Sequence, residues 1–118
     1  MKQPFRSDTV GVLLTGSRVY GTPTKESDID LVVLMSWDAA AALREQADEV
    51  GEYEGADLCL RFGKLNLLVT SQVQMYNAWV RGTAQLFARR PVTRDEARAV
   101  MEQERNRGYA FPPSLPEL

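Results

Sequence analysis

The fold of this chain is decided by one stretch, LTGSRVYGTPTKESDIDLVVL, which spans residues 14–34. The apolar run Val10–Leu14 predicts a short buried strand, and Asp30–Met35 predicts a second strand rich in Val and Leu. Between these strands, Gly16–Gly21 predicts a turn that opens a helical turn, and the proline that follows predicts a loop. The stretch therefore predicts two successive strands, with polar residues where they meet the turn and the loop.

The rest of the chain predicts three helices and a strand pair, which together define a fold class. Strands that first alternate with helices and then pair as a hairpin predict a small mixed β-sheet packed with helices, an α/β or α+β fold. The first predicted helix is Trp37–Val50, capped by Ser36; the second runs from Thr70 or Ser71 to about Arg89. The third begins at the capping box Thr93–Glu96 and runs to about Arg107. The predicted strands are Ala56–Arg61 and Leu65–Val69, joined at Gly63 and Lys64.

Length and composition predict one domain. The chain has 118 residues, of which 44% are hydrophobic, and this is enough for a single core. Residues 1–107 contain no repeat and no linker-like segment, so we expect them to form the domain. Residues 108–118 are rich in proline and predict an extended or loosely docked tail.

Composition also excludes several kinds of chemistry. The chain has no histidine and a single cysteine, Cys59, which rules out Ser-His-Asp and Cys-His catalysis, His-ligated metals, Cys-based zinc sites and an internal disulfide. Any metal should be a hard, oxygen-liking cation such as Mg²⁺ or Mn²⁺. No stretch approaches a membrane span, and the first residues lack the apolar core of a signal peptide, so we expect a cytoplasmic protein.

Charge is distributed unevenly between the two halves. Residues 1–60 carry 5 basic and 11 acidic side chains, whereas residues 61–118 carry 9 basic and 5 acidic ones. Two solvated surfaces of opposite sign would account for this pattern. The alternative is an acidic metal site in the first half that faces an arginine-rich, anion-attracting surface from the second.

Asp28 and Asp30 are the first candidate site residues. Side chains two apart at the start of a strand point to the same face, so these carboxylates should lie side by side. Two like charges at this separation are unfavourable unless a proton or a cation compensates them. A magnesium ion would do so and would keep coordination positions open for substrate phosphates. The alternative is a solvated aspartate turn at the strand entrance.

Gly16 and Ser17 form a second candidate group at the end of the preceding strand. A glycine lets the backbone approach a ligand closely, and a serine adds a hydroxyl donor, so the pair would suit a phosphate. By itself the pair is equally typical of an ordinary turn. A Walker-type phosphate loop is excluded because Thr22 and Pro23 follow Gly21 where that motif requires Lys and Ser or Thr.

The two groups together resemble a known signature. Gly16-Ser17, a spacer, and Ser27-Asp28-Ile29-Asp30-Leu31 resemble the motifs of the nucleotidyltransferase superfamily related to DNA polymerase beta. The likeness is greatest to small bacterial and phage members with a Gly-Ser-x-x-Tyr-Gly motif. It covers residues 10–35 well and residues 65–70 weakly.

The resemblance implies a nucleotidyltransferase-like fold and transfer of a nucleoside monophosphate from an NTP to an unknown acceptor, which is a protein, a nucleic acid or a small molecule. Gly16 and Ser17 would hold the triphosphate, while Asp28 and Asp30 would bind one or two Mg²⁺ or Mn²⁺ ions. Arg18 and Lys25 flank the predicted phosphate site and would bind its oxygens, although a solvated role also fits Lys25.

The chain departs from this signature at a third position. The superfamily places a carboxylate on a later strand, where residues 64–69 of this chain present Asn66. An amide oxygen can ligate a cation, but it brings no negative charge and is a poor base. Asp57 would substitute only if the register of the hairpin placed it on the same face. Asn66 therefore leaves open an alternative, a catalytically inactive nucleotide- or metal-binding module that resembles an antitoxin subunit.

The length of the chain and its arginines suggest which partners it binds. A chain this short leaves no room for the acceptor-binding domain of larger relatives, so we expect a homo-oligomer or a hetero-complex. A third hypothesis is a nucleic-acid-binding accessory protein that uses five arginines of the last two helices, although a pI of about 5.2 counts against it. These arginines are Arg81, Arg89, Arg90, Arg94 and Arg98.

Overall fold

The computed structural model describes residues 9–110, in which strands and helices alternate as far as α2 and are followed by three strands and then two helices. The strands are β1 (Thr9–Thr15), β2 (Ile29–Met35), β3 (Glu49–Gly51), β4 (Leu58–Phe62) and β5 (Leu65–Thr70). The helices are α1 (Ser17–Tyr20), α2 (Trp37–Arg44), α3 (Val73–Arg89) and α4 (Arg94–Ala110).

The strands form one five-stranded mixed sheet in the order β1-β2-β5-β4-β3. β1 pairs antiparallel with β2, and β2 pairs parallel with β5. β5 and β4 form the predicted hairpin, whose two-residue turn begins at Gly63 with a φ of +62°. The predicted α/β fold, a small mixed sheet packed with helices and consistent with a nucleotidyltransferase-like fold, is confirmed.

Alternation along the central strands divides the core between the two faces of the sheet. On one face, Val32 and Leu68 pack with Trp79 and Leu86 of α3 and with α4. On the other face, Val33, Val69 and Leu60 pack with Ala40 of α2 and its neighbours. The α3–α4 pair therefore covers one face and α2 covers part of the other.

A buried carboxylate fixes α4 against α3. The Glu104 side chain is only 3% exposed, and it accepts a hydrogen bond of 2.7 Å from Nε of Arg81. It also accepts hydrogen bonds from Gln85 and Arg107. Burial by itself raises the pKa of Glu104, but the hydrogen bonds from Arg81 and Gln85 and the charge of Arg107 outweigh burial and hold that pKa below its usual value.

Two predicted helix starts are confirmed by their caps. The Ser36 hydroxyl accepts a hydrogen bond of 3.1 Å from the backbone N–H of Ala39 at the start of α2. At the start of α4, the Thr93 hydroxyl accepts from the Glu96 N–H, and the Glu96 carboxylate accepts from the Thr93 N–H, both at 3.1 Å. This reciprocal pair is the predicted capping box.

Three helix boundaries differ from prediction. α2 ends at Arg44 rather than Val50, because Glu49–Gly51 pairs with β4 and becomes an edge strand. α3 begins at Val73, because Thr70 remains in β5 and the Ser71 N–H donates to the Asp57 carboxylate. α4 continues to Ala110, past the expected stop at Gly108, because a glycine inside a helix costs only about 1 kcal/mol. The rest of the predicted tail, residues 111–118, lies outside the described residues.

Candidate functional site

The two sequence motifs meet at one end of the β1–β2 pair. Thr15 is the register partner of Asp30, so Gly16, the next residue, lies beside the start of β2. Thr15 is 1% exposed and is fixed by a hydrogen bond of 2.8 Å between its hydroxyl and that of Thr83 on α3. The antiparallel pairing therefore brings the Gly16–Ser17 turn to the carboxylate pair.

Gly16 touches Asp30 so closely that no side chain would fit. Its φ of +83° and ψ of −166° lie in a region that only glycine adopts at low cost. A Cβ built at this position would overlap Oδ2 of Asp30. The glycine is therefore required by both the backbone conformation and the close approach of the carboxylate.

Asp28 and Asp30 lie on the same side of the sheet, where both accept hydrogen bonds from one amide group. Nδ2 of Asn66 donates to Oδ1 of Asp30 at 3.0 Å and to Oδ2 of Asp28 at 3.3 Å. Asn66 reaches both because it is the register partner of Asp30 in the parallel β2–β5 pair. The structure thus brings together the three residues that the sequence singled out for the reacting centre.

Arg61 joins this cluster and was not predicted from the sequence. Its Nη2 donates to Oδ1 of Asp28 at 3.0 Å, and its Nη1 donates to Oδ1 of Asn66 at 2.9 Å. Arg61 lies on β4 directly opposite Asn66. The one available signal was the hairpin turn, since a two-residue turn at Gly63 and Lys64 makes residues 61 and 66 cross-strand partners.

A cleft of about 790 Å³ opens over this cluster. Its acidic wall carries Asp28 and Asp30, and the Gly16–Ser17 turn lies beside them. α4 contributes one stripe of its surface to the lining of the same cleft: Arg94, Ala97, Arg98, Met101 and Arg105. The cleft is therefore lined both by carboxylates from the first half of the chain and by arginines from the second, and the metal site of the alternative interpretation stays a prediction.

Two buried aromatic residues, Tyr20 and Trp79, lie where the cleft meets the core. Tyr20 is 9% exposed and Trp79 is 5% exposed, and both belong to the core between the sheet and α3–α4. Trp79 donates its indole N–H to the Gly55 carbonyl at 2.8 Å. Burial raises the pKa of the Tyr20 hydroxyl, although hydrogen bonds from Thr15 and the Gly16 backbone oppose the rise. Both rings are packing residues.

Arg18 and Lys25 do not line the cleft. The Arg18 guanidinium donates to the carbonyl oxygen of Ser27 at 2.6 Å, and it thereby ties α1 to the loop that precedes β2. Lys25 is exposed, and its carbonyl accepts a hydrogen bond from the Lys64 ammonium group. Their contribution to phosphate binding stays a prediction.

Asp57 lies at the opposite end of the hairpin from Asn66. It precedes β4, and its carboxylate accepts from the Ser71 N–H at 3.0 Å. Four residues of extended strand separate it from Arg61, a distance of about 13 Å. The register therefore does not place Asp57 at the third carboxylate position.

The chemistry of this cluster fits a single hard cation. Asp28 and Asp30 provide carboxylate oxygens, and Mg²⁺ binds through one or two carboxylates while substrate phosphates and water complete its shell. Within residues 9–110, no group of three His, Cys, Asp or Glu side chains is arranged to hold a metal. Any cation here would thus be held by two carboxylates, with water or substrate phosphates completing its coordination shell.

Comparison with known proteins identifies the family of the chain. The family model described as a nucleotidyltransferase domain matches residues 1–73, which include β1, β2, β5 and the whole acidic wall. No curated protein and no solved structure matches significantly. None of the helices within residues 9–110 has the length and apolar character needed to cross a membrane. The matched segment covers more than half of the sequence and contains both motifs, so the chain belongs to the nucleotidyltransferase domain family.

Proposed function

We propose that this protein transfers a nucleoside monophosphate from an NTP to an acceptor hydroxyl, with Mg²⁺ or Mn²⁺ bound by Asp28 and Asp30. The observation that carries the proposal is the cleft in which the Gly16–Ser17 turn and both aspartates line the same wall. Family membership supports an NTP as the substrate. The acceptor is a protein, a nucleic acid or a small molecule.

The division of labour follows from the charge and position of each group. Gly16 offers backbone without a side chain, and Ser17 adds a hydroxyl, so together they would hold triphosphate oxygens beside Asp30. Arg94 and Arg98, which line the same cleft, would attract the same polyphosphate and retain pyrophosphate as it leaves. A bound divalent cation would neutralise and orient the phosphates, which is the main requirement of this reaction class.

A second candidate function is a nucleotide- or metal-binding module without transfer activity. One observation favours it: the third position carries Asn66, whose amide N–H groups face the two aspartates. An amide in this orientation neither ligates a cation nor accepts a proton from an acceptor hydroxyl. Such a module would bind NTP and act through a partner protein.

The test of metal and nucleotide binding is a melting experiment. Wild type and Asp28→Asn/Asp30→Asn are melted with and without Mn²⁺ plus ATP. A ligand that binds only the folded state adds about 2.7 kcal/mol at one hundred times its Kd, which raises Tm by several degrees. We expect this rise in the wild type and its loss in the double variant.

A matched control distinguishes loss of the metal site from a general effect of the change in net charge. Glu45→Gln/Glu102→Gln removes two exposed carboxylates away from the cleft and should keep the full rise in Tm. An equal rise in the wild type and the Asp28→Asn/Asp30→Asn variant would remove the proposed site. Transfer of label from α-labelled ATP to a mixture of acceptors then distinguishes the enzyme, which transfers, from the module, which only binds.

A further inference from the structure

Three neighbouring strands place polar side chains at the same level of the sheet. Asp30 on β2 is paired with Asn66 on β5, which in turn is paired with Arg61 on β4. Asp28 joins them from the residues just before β2. These four side chains form a continuous hydrogen-bonded row, with donor–acceptor distances of 2.9–3.3 Å.

The row fixes which way the Asn66 amide faces. A guanidinium has only donors, so it must face the amide oxygen, and ionised carboxylates have only acceptors, so they must face the amide nitrogen. Reversing the amide would set nitrogen against Arg61 and oxygen against Asp28 and Asp30. The oxygen of Asn66 is therefore turned away from the carboxylate pair and is occupied by Arg61.

Charge in the row already includes one cation. Two carboxylates and one guanidinium give a net charge of −1, whereas three carboxylates without an arginine would give −3. Arg61 donates to Oδ1 of Asp28 and to the Asn66 oxygen, two oxygens that would otherwise be free to ligate a second cation. Oδ2 of Asp30 is on the other side, against Gly16 and the cleft.

We propose that Arg61 is a positioning residue that takes the place of one metal ion, so that the site binds a single divalent cation on the Asp30 side. This inference rests on the proposed function for the location of that cation. It adds that the guanidinium compensates Asp28 permanently, whether or not nucleotide is bound. The arginine and the asparagine form one unit, because each fixes the orientation of the other.

Manganese binding without nucleotide tests the proposal independently of turnover. Free Mn²⁺ is followed by electron paramagnetic resonance while the metal is titrated into wild type, Arg61→Gln and Arg61→Lys. We expect one Mn²⁺ per wild-type chain and about tenfold tighter binding in Arg61→Gln, where the repelling charge is gone. Arg61→Lys keeps the charge and should bind one ion with near wild-type affinity.

Two further variants sharpen the result. Arg44→Gln makes the same charge change on α2, outside the cleft, and should bind like the wild type. Arg61→Gln/Asn66→Asp supplies three carboxylates without the guanidinium and should bind two Mn²⁺ ions per chain. Far-ultraviolet circular dichroism checks that each variant is folded.

Each other outcome has a definite meaning. Two ions in the wild type would overturn the inference, and so would equal affinity in Arg61→Gln and Arg44→Gln or a single ion in the double variant. A wild type that binds no Mn²⁺ and shows no rise in Tm with Mn²⁺ and ATP would instead contradict the metal site of the proposed function. The two failures are thus distinguishable.

Discussion

Gly16 brings the backbone into close contact with the Asp30 carboxylate. Gly16→Ala places a methyl group against Asp30 and requires a backbone conformation that is unfavourable by about 1–3 kcal/mol for other residues. We expect a lower Tm and a smaller rise with Mn²⁺ and ATP, because the carboxylate must move. Differential scanning fluorimetry measures both.

Gly51→Ala is the matched control for this substitution. Gly51 lies on exposed β3, and a Cβ there would meet no atom within 4 Å. Its Tm and its ligand-induced rise should match those of the wild type. If both alanine variants behaved alike, the close contact between Gly16 and Asp30 would have no role in binding.

Asn66 separates an active enzyme from an inactive module. Asn66→Asp replaces the amide that bonds both aspartates with a third carboxylate, which should lower Tm in the absence of metal by like-charge repulsion. Transfer from α-labelled ATP should rise by about 10²–10⁴-fold, the usual contribution of a positioned base. Asn77→Asp, an exposed substitution of the same charge on α3, should change neither quantity.

A vigorous wild-type enzyme that Asn66→Asp leaves unchanged would show that Asn66 is not at the reacting centre. A melting experiment tests the hydrogen bond between Arg61 and residue 66. A new aspartate accepts from Arg61 in place of the amide oxygen, so Asn66→Asp/Arg61→Gln should have a larger Mn²⁺-dependent rise in Tm than Asn66→Asp alone.

The residues of the acidic wall were predictable to different degrees. Asp28, Asp30 and the Gly16–Ser17 turn could be placed together because antiparallel pairing of two short neighbouring strands is a local rule. Asn66 was singled out only because the resemblance places a carboxylate on a later strand, and the parallel β2–β5 pairing that brings it beside Asp30 was not predicted. Arg61 was missed because a lone arginine in a strand is usually interpreted as a solvent-facing residue, although the predicted hairpin turn already implied its pairing with Asn66.

Among the elements, the α3–α4 pair depends on one buried acid. Glu104→Gln keeps the shape of the side chain but removes its charge, which weakens the hydrogen bonds from Arg81 and Arg107. Hydrogen bonds to a charged group contribute about 1.5–3 kcal/mol, so we expect a loss of that order in the free energy of unfolding. Urea denaturation at pH 7 measures it, with exposed Glu102→Gln on the same helix as the control.

The same variant predicts a specific dependence on pH. The folded pKa of Glu104 lies below its ordinary value of 4.5, so its contribution is present above the unfolded pKa and is lost as the pH falls through the folded one. The stability difference between wild type and Glu104→Gln should therefore be largest near pH 7 and shrink below about pH 4.5. A difference that stays constant down to pH 3 would contradict a charged Glu104.

Element boundaries were least predictable where long-range pairing competes with local preference. The Thr93–Glu96 capping box is local, and it defined the start of α4 correctly. β3 was missed because Glu49–Gly51 is exposed along its whole length and has no apolar alternation, so only its pairing with β4 defines it. The start of α3 was misplaced for the same reason, since β5 retains Thr70.

At the scale of the whole molecule, the edge strand β1 is the surface on which we expect self-association. Val12 and Leu14 are 57% and 46% exposed on the face that α2 leaves uncovered, and an edge strand presents unpaired backbone groups. Sedimentation equilibrium at high micromolar concentration should detect a dimer of wild type. Val12→Lys should weaken it, whereas Val73→Lys, at an exposed position of α3, should not.

A wild-type protein that remains strictly monomeric under these conditions would contradict self-association and leave the hetero-complex as the expected assembly. A dimer that Val12→Lys leaves intact would instead move the contact away from β1. The α4 wall of the cleft offers a further check, because a dimer through β1 should leave Arg94 and Arg98 accessible to ATP.

The parallel pairing of β2 with β5 also governs how the backbone exchanges hydrogen with solvent. Asp30 and Asn66 are 36 residues apart, and their hydrogen bond exists only while these two central strands are joined. Amides of central strands exchange through openings that separate the strands, and the same openings dismantle the acidic wall. Nucleotide with Mn²⁺ at one hundred times its Kd should then slow exchange about a hundredfold at the buried middle of β2 and β5, well beyond the atoms it touches. Ligand binding at one end of the sheet would thus slow amide hydrogen exchange along the whole length of its central strands.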